Sequence, residues 1–126
     1  MQPQTRILCI EDERFISDLY ARALQNAGYA VTVISDGSQA LEAALTNQYD
    51  IILLDIMIPT ISGIEVLHRL RGSTASQPIK AKIIITTNLD QEEDMRKKIE
   101  ELADGYLIKA EITPHELVEY LQQIKL

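Results

Sequence analysis

Five residues carry side chains that could act together on a phosphoryl group: Glu11, Asp12, Asp55, Thr87 and Lys109. Each follows or ends a short apolar run: Ile7-Leu8-Cys9-Ile10 before the acids, Ile51-Ile52-Leu53-Leu54 before Asp55, Ile83-Ile84-Ile85 before Thr86-Thr87, and Tyr106-Leu107-Ile108 before Lys109. Taken singly, an acid after a strand is commonly a helix cap, a threonine a β-former, and a lysine a solvated end. Taken together, they share one position relative to their runs. Three carboxylates in contact repel, at about 4 kcal/mol for a pair 4 Å apart at an effective dielectric of 20. Lys109 supplies one positive charge against three negative ones. A divalent cation with oxygen ligands balances the set, and few carboxylates with room for water suit magnesium, with manganese as its substitute. Magnesium, a lysine and a hydroxyl around a carboxylate bind and polarise a phosphoryl group. Asp55 could then be the nucleophile that carries an aspartyl phosphate. His68 and His115 fall outside this set and read as structural or surface residues.

The runs also say how the residues are brought together. A stretch apolar at every position, rather than every second one, suits a strand buried on both faces of a parallel sheet. Helical periodicity follows the first run (Ile16, Leu19, Tyr20, Ala23, Ala27), with Asn26 and Gly28 as its stop. Tyr29 to Ile34 is β-rich and partly alternating, as in an outer strand. After turn chemistry at Ser35-Asp36-Gly37-Ser38, Ala40, Leu41, Ala44 and Leu45 mark a second helix; Ile64, Leu67 and Leu70 mark a third. Residues 72–80 form a polar loop. Asn88 to Leu102 is charge-dense, acids first and bases later, and predicts a helix with Glu92–Arg96, Glu93–Lys97 and Asp94–Lys98 pairs. Its apolar stripe is thin: Met95, Ile99 and Leu102. Asp104-Gly105 is a turn, and Thr113-Pro114-His115-Glu116 opens a last helix with a capping box. Five strands alternating with five helices predict a doubly wound α/β domain. In such folds the ligand site lies beyond the carboxyl ends of the strands.

Composition narrows the classes. At 126 residues the chain predicts one domain, 1–126. A net charge of −7 argues against nucleic-acid or anionic-membrane binding. A lone Cys9 in an apolar run reads as a core residue and fits a reducing cytoplasm. No stretch reaches transmembrane length, and Met1 to Arg6 lacks the apolar core of a signal peptide.

The ordered set resembles the receiver domain of two-component response regulators. It consists of Glu11-Asp12, Asp55 in an Asp-x-x-x-Pro-x-x-x-Gly loop through Pro59 to Gly63, Thr87, and Lys109. The resemblance covers essentially the whole chain and is specific because every element occurs in order. It implies a flavodoxin-like five-stranded parallel sheet in the order 2-1-3-4-5, flanked by two helices on one face and three on the other. It implies that Asp55 accepts a phosphoryl group from a phosphohistidine on a sensor histidine kinase or a histidine phosphotransfer protein. Asp12 would bind the metal directly and Glu11 through water, with Asp55 and the Met57 backbone carbonyl completing the protein ligands. Thr87 and Lys109 would bind the phosphoryl oxygens. Thr87 and Tyr106 would switch, and the fourth helix, fifth strand and fifth helix would form the output face toward a protein target or a second copy. Direct nucleic-acid contact is not expected.

Three positions depart from the family pattern: Glu11 where an aspartate is usual, Asn88 where a small residue is usual, and Ala110 where a proline after a cis bond is usual. A cis bond before a non-proline costs about 2.5–4 kcal/mol, so a trans bond and an altered loop are expected there. Asn88 is expected to crowd the phosphoryl site or the access of water and partners. The competing readings are a phosphohydrolase with an aspartate nucleophile, a flavin module, a receiver degenerated to protein contacts, and a piece of a longer transcriptional regulator. The hydrolase would want an acid at Met57, and the flavin module would want a first loop without Glu11-Asp12-Glu13.

Overall fold

The computed structural model describes residues 4–73 and 75–126. Met1-Gln2-Pro3 and Thr74, which fall in the N-terminal segment and the polar loop read above, lie outside the described residues. The chain runs β1 Arg6–Ile10, α1 Arg14–Asn26, β2 Ala30–Ile34, α2 Gly37–Leu45, β3 Ile51–Asp55, α3 Gly63–Arg71, β4 Lys82–Thr87, α4 Glu93–Leu102, β5 Gly105–Ile108 and α5 Pro114–Gln122. One 3-10 turn, Lys109–Glu111, follows β5. All four strand pairings are parallel, and the order is 2-1-3-4-5 as expected.

Period-two geometry sorts each buried strand onto two cores. Leu8, Ile10, Ile52, Leu54, Ile83 and Ile85 meet the helices α2, α3 and α4. Ile7, Cys9, Ile51, Leu53 and Ile84 meet α1 and α5. That division explains the unbroken apolar runs of β1, β3 and β4, because each needs an apolar residue for both faces. β2 exposes Thr32 and Val33, as an outer strand should. Cys9 is buried, and burial pushes its thiol up to about 12, so it is an inert core residue.

Helix ends follow local chemistry. Gly28, at φ +99°, closes α1 where a side chain would be strained. Asp36 and Ser62 cap α2 and α3 through the Gln39 and Glu65 amides. Thr113 and Glu116 form the expected capping box behind Pro114.

The fourth helix differs from the sequence reading. It begins at Glu93, not at Asn88, because residues 88–92 have other partners. The Thr87 hydroxyl donates to the Leu89 carbonyl at 2.8 Å, and the Gln91 amide donates to the Tyr106 hydroxyl at 2.9 Å. Glu92 is left as an extended N-cap. Arg96 therefore turns to Asp90 (2.9 Å) and Glu100 (2.6 Å) rather than pairing with Glu92, while the Glu93–Lys97 pair forms at 3.5 Å. Of the apolar stripe only Ile99 is buried; Leu102 packs partly against the core and Met95 is exposed.

The edge opposite the strand C-termini is tied by one guanidinium. Arg71 at the end of α3 donates to the carbonyls of Leu102 (3.3 Å), Ile79 (3.5 Å) and Ala81, and to Asp104 (3.2 Å). Asp104 also accepts from the Ile83 amide at 2.8 Å, and its own amide donates back to the Ile83 carbonyl at 2.7 Å.

Candidate functional site

Parallel strand direction brings the five residues to one edge. Glu11 follows β1 and is fixed there by its amide, which donates to the Ile34 carbonyl at 3.1 Å. Asp55 ends β3 in register with Thr86. Thr87 ends β4 opposite Ile108, and Lys109 is the next residue after β5. Glu11, Asp55, Thr87 and Lys109 are all buried, whereas Asp12 is exposed.

The lysine is the centre of the cluster. Its Nζ donates to Glu11 Oε1 at 2.6 Å and to Asp55 Oδ2 at 3.1 Å. The second oxygens are also engaged: the Glu13 amide donates to Glu11 Oε2 at 3.0 Å, and the Met57 amide to Asp55 Oδ1 at 3.3 Å. Among the described residues every buried side-chain nitrogen and oxygen has a partner. Burial pushes the Glu11 carboxyl up, against hydrogen bonds from Lys109 and the Glu13 amide. Burial alone would lower Lys109, yet the Glu11 hydrogen bond and the charges of Asp55 and Glu11 hold it above its usual value. One firmly charged cation thus faces several acids.

Glu11, Asp12 and Asp55 each offer a carboxylate oxygen, all within 4.8 Å of one another. A hard oxygen set carrying more negative charge than Lys109 can offset fits a small divalent cation such as magnesium. Glu11, one methylene longer than the usual aspartate, does more than the water-mediated role expected of it. That arm reaches Lys109 directly, so Glu11 holds the lysine ammonium as well as belonging to the three-carboxylate group.

The Lys109–Ala110 bond is trans, as expected, and the segment after it is the 3-10 turn Lys109–Glu111. Lys109 still reaches both carboxylates through it. Asn88 is exposed and its side-chain amide donates to Glu13 Oε1 at 3.2 Å, drawing it toward the β1–α1 loop.

Thr87 and Tyr106 are joined by a chain the sequence did not reveal. The Gln91 side-chain amide lies 3.4 Å from Thr87 Oγ1 and 3.2 Å from the Leu89 carbonyl. The Tyr106 hydroxyl accepts from the Gln91 backbone amide and donates to Asp90 Oδ1 at 3.0 Å. Arg96 lies over the Tyr106 ring, 4.5 Å from its centroid, and burial raises the phenol above its usual value.

The β3–α3 loop is held more closely. Gly63 donates to the Ile56 carbonyl at 2.9 Å, and a Cβ on Gly63 would stand 2.0 Å from the Asp55 carbonyl oxygen. Gly37 donates to the Pro59 carbonyl at 3.0 Å, and a Cβ there would stand 1.9 Å from the Ile61 carbonyl oxygen. Asp36 accepts from the hydroxyls of Ser38 and Thr60. The sequence places Asp36 in turn chemistry alone; the structure adds its N-cap role and a partner 24 residues away. His68 on α3 and His115 on α5 are exposed and take no part in the cluster.

The family model of the response regulator receiver domain matches residues 7–122. The transcriptional regulatory protein DltR of Streptococcus agalactiae is 38% identical over 121 residues, covering 96% of this chain and 50% of that protein. The response regulator ArlR of Staphylococcus saprophyticus is 36% identical over 121 residues, covering 96% of this chain and 51% of that protein. The chain thus spans about half the length of the curated relatives it matches. Among solved structures, the Vibrio cholerae chemotaxis protein CheY4 superposes with a TM-score of 0.82 at 26% identity, covering 98% of this chain and 100% of that one. Relatives named as transcriptional regulators lend no support to the expectation that nucleic acid is excluded.

Proposed function

The chain belongs to the response regulator receiver domain family, and from that premise we propose that Asp55 is its phosphoacceptor in a histidine-to-aspartate relay. The observation that carries the reading is the Lys109 ammonium bonded to both Glu11 and Asp55, with the Asp12 carboxylate close by. A carboxylate oxygen of Asp55 attacks the phosphorus of a phosphohistidine. The new P–O bond forms as the P–N bond breaks, and the electron pair returns to the imidazole nitrogen, which takes a proton. Lys109 neutralises charge on the transferring group, and the Thr87 hydroxyl donates to one of its oxygens. Glu11 keeps the lysine aimed. Magnesium held by Asp12, Asp55 and the Met57 carbonyl, with Glu11 through water, would supply further charge neutralisation.

In this reading Thr87 must release the Leu89 carbonyl to meet the phosphoryl group, which loosens the Gln91 contacts with Thr87 and Tyr106. The signal then leaves through α4, β5 and α5 toward a protein target or a second copy. The donor is a sensor histidine kinase or a phosphotransfer protein. Met57 and Leu89 are exposed apolar side chains near the site and offer no group to orient an attacking water. That supports a stored signal over a hydrolase. No helix among the described residues is long and apolar enough to cross a membrane.

The test is intact mass after incubation with magnesium and acetyl phosphate. A phosphate adduct that disappears in Asp55→Asn is expected; a folded, magnesium-bound protein that takes up no phosphate overturns the reading. Continuous phosphate release over many turnovers would favour the hydrolase.

A further inference from the structure

Thr60 is a β-branched residue at φ +74°, in the left-handed region that such side chains avoid. Among the described residues the other non-glycine there, Asn47 at φ +57°, is of a type that tolerates it. Something must hold Thr60, and its hydroxyl donates to Asp36 Oδ1 across the gap from the start of α2. The neighbouring backbone is stitched at the same place: Gly37 and Ile61 both donate to the Pro59 carbonyl, at 3.0 and 2.9 Å. The far end of the segment is closed by the Gly63 amide on the Ile56 carbonyl. Met57, whose amide donates to Asp55 Oδ1, lies between these two closures.

We propose that Asp36 is a positioning residue for the metal-binding loop: it holds Thr60 left-handed and so keeps residues 56–63 in the one shape that cation binding uses. The proposal rests on the reading of the site as a magnesium-dependent phosphoacceptor. Asp36 also accepts from the Gln39 amide at 3.0 Å, as the N-cap of α2, so the tether must be separated from the cap. Hydrogen bonds from Ser38, Thr60 and the Gln39 amide hold the Asp36 carboxyl down to about 2, which keeps it a charged acceptor near neutral pH.

Thr60 makes the separation. Thr60→Ala removes the tether and keeps both the cap and the unfavourable backbone. Thr60→Gly removes the tether and also the need for it, since glycine adopts a positive φ freely. Two readouts are used on the whole chain: hydrogen exchange of the Met57, Ile58, Thr60 and Ile61 amides without metal, and magnesium affinity by calorimetry. Asp36→Ala and Thr60→Ala should each speed that exchange about 10-fold and weaken magnesium about 10-fold, as outer-shell partners of metal ligands do. Thr60→Gly should leave both within about twofold, and adding it to Asp36→Ala should restore most of the loss. Asp36→Asn keeps the cap on its one carbonyl oxygen and can turn the tether round, its amide donating to the Thr60 hydroxyl, so it guards against a variant that simply misfolds and should stay nearer the parent than Asp36→Ala.

An Asp36→Ala/Thr60→Gly protein no better than Asp36→Ala, or a Thr60→Ala protein indistinguishable from the parent, overturns the proposal. If the parent itself binds no magnesium, the phosphoacceptor reading fails, and the exchange arm alone decides whether Asp36 holds the loop.

Discussion

The two loops that flank Asp55 and Thr87 are built by opposite means. The β3–α3 loop is fixed mainly by backbone hydrogen bonds at Pro59 and Ile56 and by two glycines with no room for a Cβ, with the Asp36–Thr60 tether as its one side-chain addition. It leads into α3, which buries Val66, Leu67 and Leu70. The β4–α4 loop is fixed by side chains: the Thr87 hydroxyl, the Gln91 amide, the Tyr106 phenol and exposed ion pairs of Arg96. It leads into α4, which buries only Ile99. Contacts of the second kind are worth roughly 1 kcal/mol or less each. In the proposed reading a phosphoryl group would exchange them for its own contacts, whereas backbone closures and missing Cβ space offer nothing to exchange. On that proposal, one half of the site would hold ligands in place and the other half would respond.

The contrast can be broken at its shared centre. Lys109→Met leaves Glu11 and Asp55 buried without their cation, and a loss of about 3–5 kcal/mol in urea unfolding is expected. A loss under about 1 kcal/mol would mean that the two halves do not depend on the buried cluster.

Substitutions on each side should differ next. Gly37→Ala forces a Cβ against the Ile61 carbonyl and should cost about 1–3 kcal/mol. Asn88→Ala, which loses only an exposed contact with Glu13, should stay within about 0.5 kcal/mol. Equal costs in chemical denaturation would erase the distinction.

A smaller effect is expected at Arg96. Arg96→Ala removes half-exposed pairs with Asp90 and Glu100 and should cost about 0–1 kcal/mol. Its signature is local: amide exchange should rise in α4 and not in α3. A uniform rise across both helices would count against a separately mobile α4.

The smallest effect concerns acid. The Asp36 carboxyl is held down to about 2 in the folded chain, below its unfolded value near 4. The stabilisation is therefore complete above about pH 4 and is lost as pH falls toward 2. Thermal melts through that window should show a steeper fall for the parent than for Asp36→Asn. Parallel curves would show that the carboxylate contributes no pH-dependent hold on the β3–α3 side.

Much of this was legible in the chain itself, for identifiable reasons. Continuous apolar runs mark β1, β3 and β4 because each strand faces two cores, and the polar residue after each run falls on the ligand edge by strand direction alone. Thr113-Pro114-His115-Glu116 carries its own geometry. What stayed hidden depends on contacts between distant segments. α4 starts later than its charge pattern suggests because Tyr106, 15 residues beyond Gln91, takes the amide that a helix would have used. Arg96 prefers Asp90 over Glu92 for the same reason. Glu11 and Lys109 lie 98 residues apart, and no local pattern states that the longer arm of Glu11 would close that distance. Asp36 and Thr60 are joined only once α2 and the β3–α3 loop are packed.

Arg71 gives the responsive half its mechanics. It clamps the Leu102 carbonyl and Asp104, and Asp104 is bonded twice to Ile83, so α4 is pinned at its last residue to the rigid sheet. Its first turn is secured mainly by exchangeable side chains. A rod about 15 Å long, fixed at one end and lightly held at the other, would swing rather than slide. A rotation of about 10° about the Arg71 clamp carries the first turn of α4 through about 2.6 Å, while the Leu102 end stays in register with the sheet. The opposite edge of the domain would then be the fulcrum, with Gln91, just before the helix, meeting Thr87 at the moving end.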